Sequence, residues 1–330
     1  MRDIVVLTGA TGMLGPHLVQ ALLARSHRVA ALVRDPAAAA ARLPASVRFV
    51  ACDLASPLPA ALDPLLAESR CLVHAAGGFQ ASLHGADSAE VERLHRGASV
   101  ELYDRAAAAG VPRFVALGSA AALGRGADGG AGDEEAPPSA LVEKLPYLRA
   151  KRAQREALRA REAAGGGPAL VEVMPGSLWG PGCPPGSAPW KLTTELLAGG
   201  IPGVLRGGAM VVDVRDVAAA IAALVEHPGP ARAYALAGRR VELDALYAGL
   251  AAAGGVVAPS KRIPDLVATL LSWLAPGRIS PQSLAMMRAG TLVSSERAAR
   301  DLGFSPRPLE QTWADTVATV RGAAEVWAAG

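Results

Sequence analysis

A tyrosine and a lysine lie four residues apart in the chain, at Tyr147 and Lys151. The charged segment 146–164 predicts a helix, and this spacing places both side chains on one helix face, about 5–6 Å apart at Cβ. A phenol with a pKa near 10 transfers protons poorly at neutral pH, and a nearby ammonium lowers such a pKa by about 1–3 units. The pair therefore predicts proton transfer at an alcohol or carbonyl oxygen. The alternative is an ordinary pair on a surface helix.

A serine follows the predicted strand Arg113–Leu117, at Ser119. In doubly wound sheets, ligands bind outside the carboxyl ends of the strands. A hydroxyl at that place can donate to a carbonyl oxygen and polarise it for hydride attack. Ser119 is therefore a candidate for binding the substrate carbonyl. A structural role in a turn or at a helix start is the competing interpretation.

A glycine-rich segment directly follows the first predicted strand, Ile4–Thr8, and opens the first predicted helix. Glycines three residues apart permit a tight turn and let backbone amides approach a pyrophosphate. The start of the helix adds a partial positive charge. A glycine-rich turn that binds nothing is the alternative, but the position after the first strand favours a dinucleotide site. The expected contacts are Thr8, Gly9, Thr11, Gly12, Met13, Leu14 and Gly15.

The residues after the second and third predicted strands bear on the choice of dinucleotide. Arg34 follows Val33 and suits a 2′-phosphate, whereas an acidic residue there would bind a free ribose hydroxyl. NADP(H) is therefore favoured over NAD(H), with Asp35 keeping NAD as the alternative. Asp53 and Leu54 fall where an adenine ring would lie, and a helix cap is the competing role for Asp53.

Short apolar runs alternate with helical segments over the first half of the chain. This alternation predicts a Rossmann-type, doubly wound parallel sheet of the α/β class, with a smaller C-terminal substrate-binding part. We assign residues 1–174 to the dinucleotide-binding domain, with 210–237 returning to it, and 175–330 mainly to the substrate-binding part. The glycine-rich segment 122–138 is expected to be a mobile loop near the site or a solvated surface excursion. The predicted strands are Ile4–Thr8, Arg28–Val33, Val47–Cys52, Cys71–Ala75, Arg113–Leu117 and Ala169–Met174, and the predicted helices Met13–Ser26, Ala37–Leu43, Pro57–Ala67, Asp87–Gly110 and Pro146–Ala164.

The composition excludes several classes of protein. The 330 residues carry a net charge of +3 with scattered charges, which argues against a nucleic-acid surface. Three widely spaced cysteines indicate neither a disulfide framework nor a metal site. No apolar run reaches the ~20 residues of a membrane span, and no cleavable leader is visible, so we expect a cytoplasmic protein without stable membrane insertion.

Taken in order, these residues resemble the extended short-chain dehydrogenase/reductases, the NAD-dependent epimerase/dehydratase family. The resemblance covers nearly the whole chain. Segments 32–36 and 212–218 are most similar to the branch of the dihydroflavonol reductases and 3β-hydroxysteroid dehydrogenases. The matching motifs are TGATGMLG at 8–15, Ser119, Tyr147-xxx-Lys151, HAA at 74–76, MPG at 174–176, WGP at 179–181, VDVRDVA at 212–218 and RAARDLGF at 297–304.

The resemblance implies an enzyme that transfers a hydride between a nicotinamide cofactor and a small molecule. It implies Ser119, Tyr147 and Lys151 as the catalytic residues, with Lys151 also holding the cofactor ribose. A homodimer through the helices at 87–110 and 146–164 is a further family expectation. His95 stands where the family usually has an asparagine; it is expected to relay a hydrogen bond or to titrate near neutral pH, and the alternative is a plain residue on the helix surface. Further cofactor contacts are expected at Ala75, Ala76, Gly77, Pro175, Gly176 and Ser177.

The substrate side departs from the nucleotide-sugar epimerases, which usually carry an arginine just before the segment matching 212–218. Ala209 and Met210 stand there, so we expect a bulky, fairly apolar ketone or aldehyde. An NAD-dependent nucleotide-sugar epimerase or dehydratase is the alternative, and a non-catalytic cofactor sensor is disfavoured by the Tyr–Lys pair. The apolar stripe Ile263–Leu274 is expected in the core, with a substrate pocket or a membrane contact as the alternatives. The expected substrate contacts are Phe79, Ser119, Trp179 and Met210.

Overall fold

The computed structural model describes residues 3–77, 91–227, 229, 233–274 and 280–322. Seven of the strands form one parallel sheet in the order β3-β2-β1-β4-β5-β6-β9, and three form a small sheet in the order β10-β8-β7. In chain order the strands are β1 (Ile4–Thr8), β2 (Arg28–Val33), β3 (Arg48–Ala51), β4 (Ser69–His74), β5 (Arg113–Leu117), β6 (Ala169–Pro175), β7 (Ser177–Trp179), β8 (Gly208–Asp213), β9 (Ala233–Leu236) and β10 (Arg239–Glu242).

Helices cover both faces of the large sheet and build most of the C-terminal part. A π-helical turn, Arg93–Gly97, runs directly into the fourth helix, and a short 3₁₀ turn, Ala120–Ala122, follows Ser119. The helices are α1 (Gly15–Ala24), α2 (Pro36–Ala40), α3 (Leu62–Ala67), α4 (Ala98–Ala108), α5 (Pro146–Ala163), α6 (Ala188–Leu197), α7 (Val214–Glu226), α8 (Leu243–Gly254), α9 (Asp265–Leu274), α10 (Pro281–Arg288), α11 (Glu296–Leu302) and α12 (Leu309–Val320).

The central strands are apolar along their whole length because both faces of the sheet are covered. All five residues of β1 are buried, and its alternate side chains enter two separate apolar clusters, one on each side of the sheet. The predicted Rossmann-type sheet is therefore confirmed. The strands β1 and β4 are neighbours, but the chain continues from β1 to one side of the sheet and from β4 to the other side. This reversal opens a crevice at the carboxyl ends of the two strands.

The segment 210–237 is divided between the two sheets. Ala233–Leu236 pairs with β6 as the seventh strand of the large sheet, and α7 packs against α1 on its face. The strand β8, in contrast, is the central strand of the small sheet, between β7 and β10. Residues 210–213 therefore do not return to the large sheet, because the backbone of β8 pairs with β7 and β10 instead.

The glycine-rich segment 122–138 is anchored to the large sheet through Glu134, while most of residues 125–131 are exposed. The Glu134 side chain is buried, accepts a hydrogen bond from the backbone amide of Ala235 at 2.8 Å and lies 3.4 Å from the Arg297 guanidinium. Ala136 and Pro138 of the same segment line a cavity of about 70 Å³ that also borders Ser119. The expected proximity to the candidate site is thus observed.

The apolar stripe Ile263–Leu274 is not part of the core, contrary to the expectation. The helix α9 turns only Ala268 and Ser272 inward, while its large apolar side chains face solvent. Small side chains permit close packing of the helix backbone, and the bulky ones on the opposite face have nothing to cover them among the described residues. Within these residues, no helix is long and apolar enough to cross a membrane.

Candidate active site

The carboxyl end of β5 and the first turn of α5 bring two hydroxyl groups together. Ser119 lies two residues after β5, and Tyr147 is the second residue of α5, whose start is favoured by Pro146. The two side chains are hydrogen-bonded to each other. Burial raises the pKa of Tyr147 to about 12, and the bond from Ser119 acts in the opposite direction. The phenol is therefore protonated at neutral pH and available as a donor.

Lys151 lies one turn along α5, and its ammonium is buried. Its Nζ donates to the backbone oxygen of Leu117 at 2.7 Å and to Oε1 of Gln154 at 3.1 Å. Burial lowers the pKa of Lys151 to about 7. At Tyr147 burial raises the pKa more than the Ser119 hydrogen bond lowers it, and a lowering of that pKa by the Lys151 ammonium stays a prediction.

A buried hydrogen-bond chain continues from Lys151 to the π-helical turn. Nε2 of Gln154 donates to Oγ of Ser99 at 2.9 Å, and Ser99 donates to the backbone oxygen of His95 at 2.5 Å. This chain fixes the rotamer of Lys151 from the side away from the crevice. Sequence reasoning missed Gln154, although a polar residue three positions after Lys151 shares its helix face and could have signalled the contact.

His95 is buried beside the tyrosine and is not a surface residue. Its ring lies 5.7 Å from the ring of Tyr147 in an edge-on arrangement. Burial, with the nearby charge of Lys151, lowers the pKa of His95 to about 3, so the imidazole stays neutral at physiological pH. Neither ring nitrogen has a hydrogen-bond partner among the described residues. The expected titration of His95 near neutral pH is therefore wrong. Its two ring nitrogens are nevertheless polar atoms in a ring that lies beside Tyr147.

The three glycines of the first turn have different surroundings. A Cβ on Gly9, which has a φ of +78°, would lie 2.7 Å from the amide nitrogen of Ala76, and one on Gly15 would lie 2.3 Å from the oxygen of Ala10. A Cβ on Gly12 would meet only the oxygen of Gly9, at 3.4 Å. Gly9 and Gly15 are thus required by packing within the protein. Gly12 faces open space at the start of α1, where a phosphate can approach.

The side chains around these glycines fall into two groups. Thr8 and Leu14 are buried, and the Thr8 hydroxyl contacts Nδ1 of His74 at 2.8 Å and accepts from the amide of Ala76 at 3.1 Å. Both residues hold the turn in place through buried contacts. Thr11 and Met13 are partly exposed. The helix start has no side-chain cap, which leaves the first amides of α1 for a ligand.

In the turn after β2, Arg34 and Asp35 differ in their contacts with the protein. The carboxylate of Asp35 accepts hydrogen bonds from the amides of Ala37 and Ala38, both at 3.0 Å, and so caps α2. Arg34 is exposed at the carboxyl end of β2 and makes no hydrogen bond or ion pair with the described residues. At this turn the Asp35 carboxylate is therefore bound to the protein, whereas the Arg34 guanidinium is available to a ligand.

The other expected cofactor contacts lie at neighbouring strand ends. Asp53 accepts from the amide of Ala55 at 3.1 Å in a turn after β3, and Leu54 packs partly against the core. Ala75, Ala76 and Gly77 follow β4, and a Cβ on Gly77 would lie 3.1 Å from the His95 ring. Segment 175–177 follows β6; there a Cβ on Gly176 would meet backbone oxygens of the neighbouring strand ends, and the Ser177 hydroxyl accepts from Trp179 at 3.1 Å.

Two of the expected substrate contacts lie in the core instead. Trp179 packs edge-on against Trp313, with ring centroids 5.3 Å apart, inside the C-terminal core. Met210 is buried with Ala120 and Met174 beneath the 3₁₀ turn. Both side chains are packed within the protein, and their contact with a substrate stays a prediction. Phe79 lies outside the described residues.

The residues present fit a nicotinamide dinucleotide. The open face of Gly12, the uncapped start of α1 and the exposed Arg34 follow the neighbouring strands β1 and β2. Ser119, with Tyr147 bonded to it, follows β5, which β4 separates from β1. A dinucleotide lies across the point where the strand order reverses, so it needs a phosphate site on one side of that point and the polar reactive residues on the other. The residues named here have that order.

Comparison with known proteins agrees with this geometry. The model of the NAD-dependent epimerase/dehydratase family matches residues 5–237. A protein of Synechocystis sp., provisionally named dihydroflavonol 4-reductase, is 27% identical over 96% of this chain and 94% of its own length. The ceramide reductase of Caulobacter vibrioides is 33% identical over 55% of this chain and 48% of its own. The crystal structure of a UDP-glucuronic acid 4-epimerase from Bacillus cereus, with NAD, has a TM-score of 0.79 over 97% of this chain and 100% of its own at 16% identity, and shows the shared fold.

The chain therefore belongs to the NAD-dependent epimerase/dehydratase family and is an enzyme of the NAD(P)-dependent short-chain dehydrogenase/reductase type. The resemblance inferred from the sequence is confirmed.

Proposed function

We propose that this member of the NAD-dependent epimerase/dehydratase family is an NADPH-dependent reductase of a bulky, apolar ketone or aldehyde. The observation that carries the proposal is the Ser119–Tyr147 hydrogen bond at the end of β5, beside the dinucleotide crevice. Two hydroxyl donors at one point form a site for a single carbonyl oxygen.

In this proposal the bound nicotinamide supplies a hydride to the carbonyl carbon. Ser119 donates a hydrogen bond to the carbonyl oxygen and stabilises the negative charge that develops there. Tyr147 donates its hydroxyl proton to the same oxygen, completing the alcohol. Lys151, held by Leu117 and Gln154, supplies a cation or a polar donor next to the site.

The pKa of Tyr147 suits this residue to the role of proton donor. A phenol with a pKa of about 12 carries its proton at neutral pH and is ready to protonate an alkoxide. Alcohol oxidation would first require that phenol to lose its proton. Reduction therefore needs no prior ionisation of the protein.

The choice of NADPH rests on the turn after β2. Asp35 is engaged in capping α2, so its oxygens are directed at two backbone amides. Arg34 is exposed next to it and can pair with a 2′-phosphate in a bidentate manner. NADH remains the alternative cofactor in the test below.

The bulky, apolar substrate is supported by two features. Ala209 and Met210 stand where a sugar-nucleotide enzyme usually carries an arginine, and Met210 is buried among apolar side chains. One relative, 33% identical over about half of this chain, is named a ceramide reductase, a name that denotes a lipid substrate. Both features favour a ketone with a large apolar part.

The test is the oxidation of NADPH, followed by absorbance, with a panel of aryl and long-chain ketones. Tyr147→Phe should lower kcat/KM by at least about a hundredfold, because it removes the proton donor. Tyr247→Phe is the matched control, since Tyr247 is also buried but lies in the core of the C-terminal part. Equal activity of Tyr147→Phe and the wild type would exclude this mechanism.

Cofactor choice is tested by titrating NADPH and NADH separately. Arg34→Ala should weaken NADPH binding at least about tenfold and leave NADH binding nearly unchanged, because only NADPH carries the 2′-phosphate. Arg28→Ala, at the opposite end of β2, is the control and should alter neither affinity. An equal loss for both dinucleotides would contradict the assignment of Arg34.

The second candidate is a sugar-nucleotide epimerase or dehydratase with tightly held NAD, which the shared fold of the Bacillus cereus enzyme keeps open. Mass spectrometry of the purified protein separates the two. Stoichiometric NAD that survives dialysis would favour the epimerase, whereas exchangeable NADP(H) favours the reductase.

A further inference from the structure

The helix α9 presents an apolar surface of unusual composition. Six of its ten residues are large and apolar, and the exposed fraction of each ranges from 42% to 82%. No charged residue interrupts the helix after Asp265. Monomeric proteins rarely expose so many contiguous apolar side chains unless something binds to them. The six residues, named here the α9 face, are Leu266, Val267, Leu270, Leu271, Trp273 and Leu274.

The inward side of α9 shows that this orientation is built into the sequence. Ala268 and Ser272, four residues apart, are the buried positions, and the Ser272 hydroxyl donates to the backbone oxygen of Thr269 at 2.7 Å. Arg288 of α10 donates to the hydroxyl of Thr269 and to the backbone oxygen of Asp265, both at 2.9 Å. These bonds fix the rotation of the helix, so the large side chains cannot turn inward.

A basic rim lies at the N-terminal end of α9. Arg206 and Arg288 pair with Asp265, the first residue of the helix. Lys261 and Arg262 stand in the segment that leads into α9, and Arg262 pairs with Asp244, so these four cations and two carboxylates leave a net charge of +2. A basic rim beside an apolar face matches an anionic phospholipid surface, where lipid head groups meet the cations and acyl chains meet the apolar side chains.

A second copy of the chain fits this surface less well. A twofold contact that brings the two basic rims together places like charges across the interface, which opposes association. The length of α9 also limits the kind of membrane contact. Ten helical residues extend about 15 Å, half of a bilayer core of about 30 Å, so the helix can lie in the interface and cannot span it.

The α9 face is connected to the candidate active site through α10. Arg288, at the end of α10, holds α9, while Met286 of the same helix packs on the cluster of Val142, Leu145 and Leu148. Tyr147 packs on that same cluster. One short helix thus separates the exposed apolar surface from the proposed proton donor.

We propose that the α9 face docks the enzyme on an anionic phospholipid bilayer and that the substrate is a ketone carried in that bilayer. The substrate half of this inference rests on the proposed reductase function, and the docking half does not. Docking by the α9 face places the end of α10 at the lipid surface, from which an apolar ketone has a short path to Ser119 and Tyr147.

Docking is tested by sedimenting the full chain with vesicles of phosphatidylcholine, with and without phosphatidylglycerol, in the absence of cofactor and substrate. The wild type should bind the anionic vesicles and lose that binding at high salt, because salt screens the basic rim. The double variant Leu270→Glu with Trp273→Glu should reduce binding at least about tenfold, since it puts two carboxylates at the lipid surface.

The matched control is Ala160→Glu with Ala163→Glu, which adds the same charge to the exposed side of α5. This control should bind as the wild type does, and circular dichroism should show that both double variants are folded. Three results would overturn docking: no binding by the wild type, equal binding by the α9 variant, or a wild-type dimer that the α9 variant turns into a monomer without any vesicle binding.

The substrate half is tested with a long-chain ketone held in vesicles and a water-soluble aryl ketone. The α9 variant should raise KM for the vesicle-borne ketone and leave kcat/KM for the soluble one unchanged. An unchanged KM for both would refute delivery from the bilayer. Vesicle binding without reduction of any ketone by the wild type would instead contradict the proposed reductase and leave docking standing.

Discussion

Polar side chains are buried in the crevice at the ends of β1, β4 and β5, whereas large apolar side chains are exposed on the surface of α9. In the crevice, Thr8, Lys151 and Gln154 are buried and bonded to groups that come from distant parts of the chain. On α9, the largest side chains point to solvent and only two small ones are buried. Residues of the first region therefore support the fold and the chemistry together, whereas those of the α9 face are free to serve binding alone.

The strongest test of this contrast truncates a leucine in each region. Leu72 in β4 is fully buried, and Leu266 on α9 is 82% exposed. Leu72→Ala should lower the free energy of unfolding by about 2–5 kcal/mol, because it leaves a cavity in the core. Leu266→Ala should change it by less than about 0.5 kcal/mol. Urea unfolding measures both, and a loss at Leu266 comparable to that at Leu72 would show that α9 is packed in solution.

A smaller effect separates fold from binding within the crevice itself. Gly15→Ala should lower the free energy of unfolding by about 1–3 kcal/mol, since its Cβ would lie 2.3 Å from backbone oxygens. Gly12→Ala should leave unfolding within about 0.5 kcal/mol of the wild type. The same variant should weaken dinucleotide binding at least about tenfold, because a methyl group would occupy the phosphate approach. Unimpaired dinucleotide binding by Gly12→Ala would show that no phosphate binds at this position.

The last expected effect is a pH dependence at Lys151. Its pKa in the folded chain, about 7, lies below its ordinary value of 10.5, so between these values the unfolded chain binds one more proton. The free energy of unfolding should therefore rise with pH across that window, by at most about 1.4 kcal/mol per pH unit from this group. Lys151→Met should lack this rise when urea unfolding is compared at pH 8 and 9.5, each about a unit inside the window.

A second variant sharpens that measurement. Gln154→Glu places a carboxylate beside the ammonium, which raises the pKa of Lys151 and should reduce the rise with pH. Parallel pH profiles of the wild type, Lys151→Met and Gln154→Glu would mean that Lys151 is not the titrating group.

The outcomes at single residues show which signals in the sequence were informative. Tyr147 and Lys151 lie on α5, and Ser119 lies beside Tyr147, because helical spacing and strand ends are local features of the chain. Trp179 and Met210 were predicted to face the substrate, yet they pack against Trp313 and Ala120, which no local pattern reveals. For Gln154, the spacing from Lys151 was visible in the sequence and was overlooked, whereas its bond to Ser99, 55 positions away, has no local signal.

The sequence by itself determined the alternating sheet, the glycine turn and the order of polar residues at the strand ends, since each depends on neighbours within about one helical turn or one strand. The tertiary structure decided which face of α9 is covered, what Asp35 binds, and that burial moves the pKa values of Tyr147 and Lys151 in opposite directions. Burial and partner choice arise only when distant segments pack together, and that packing sets the desolvation on which these properties depend.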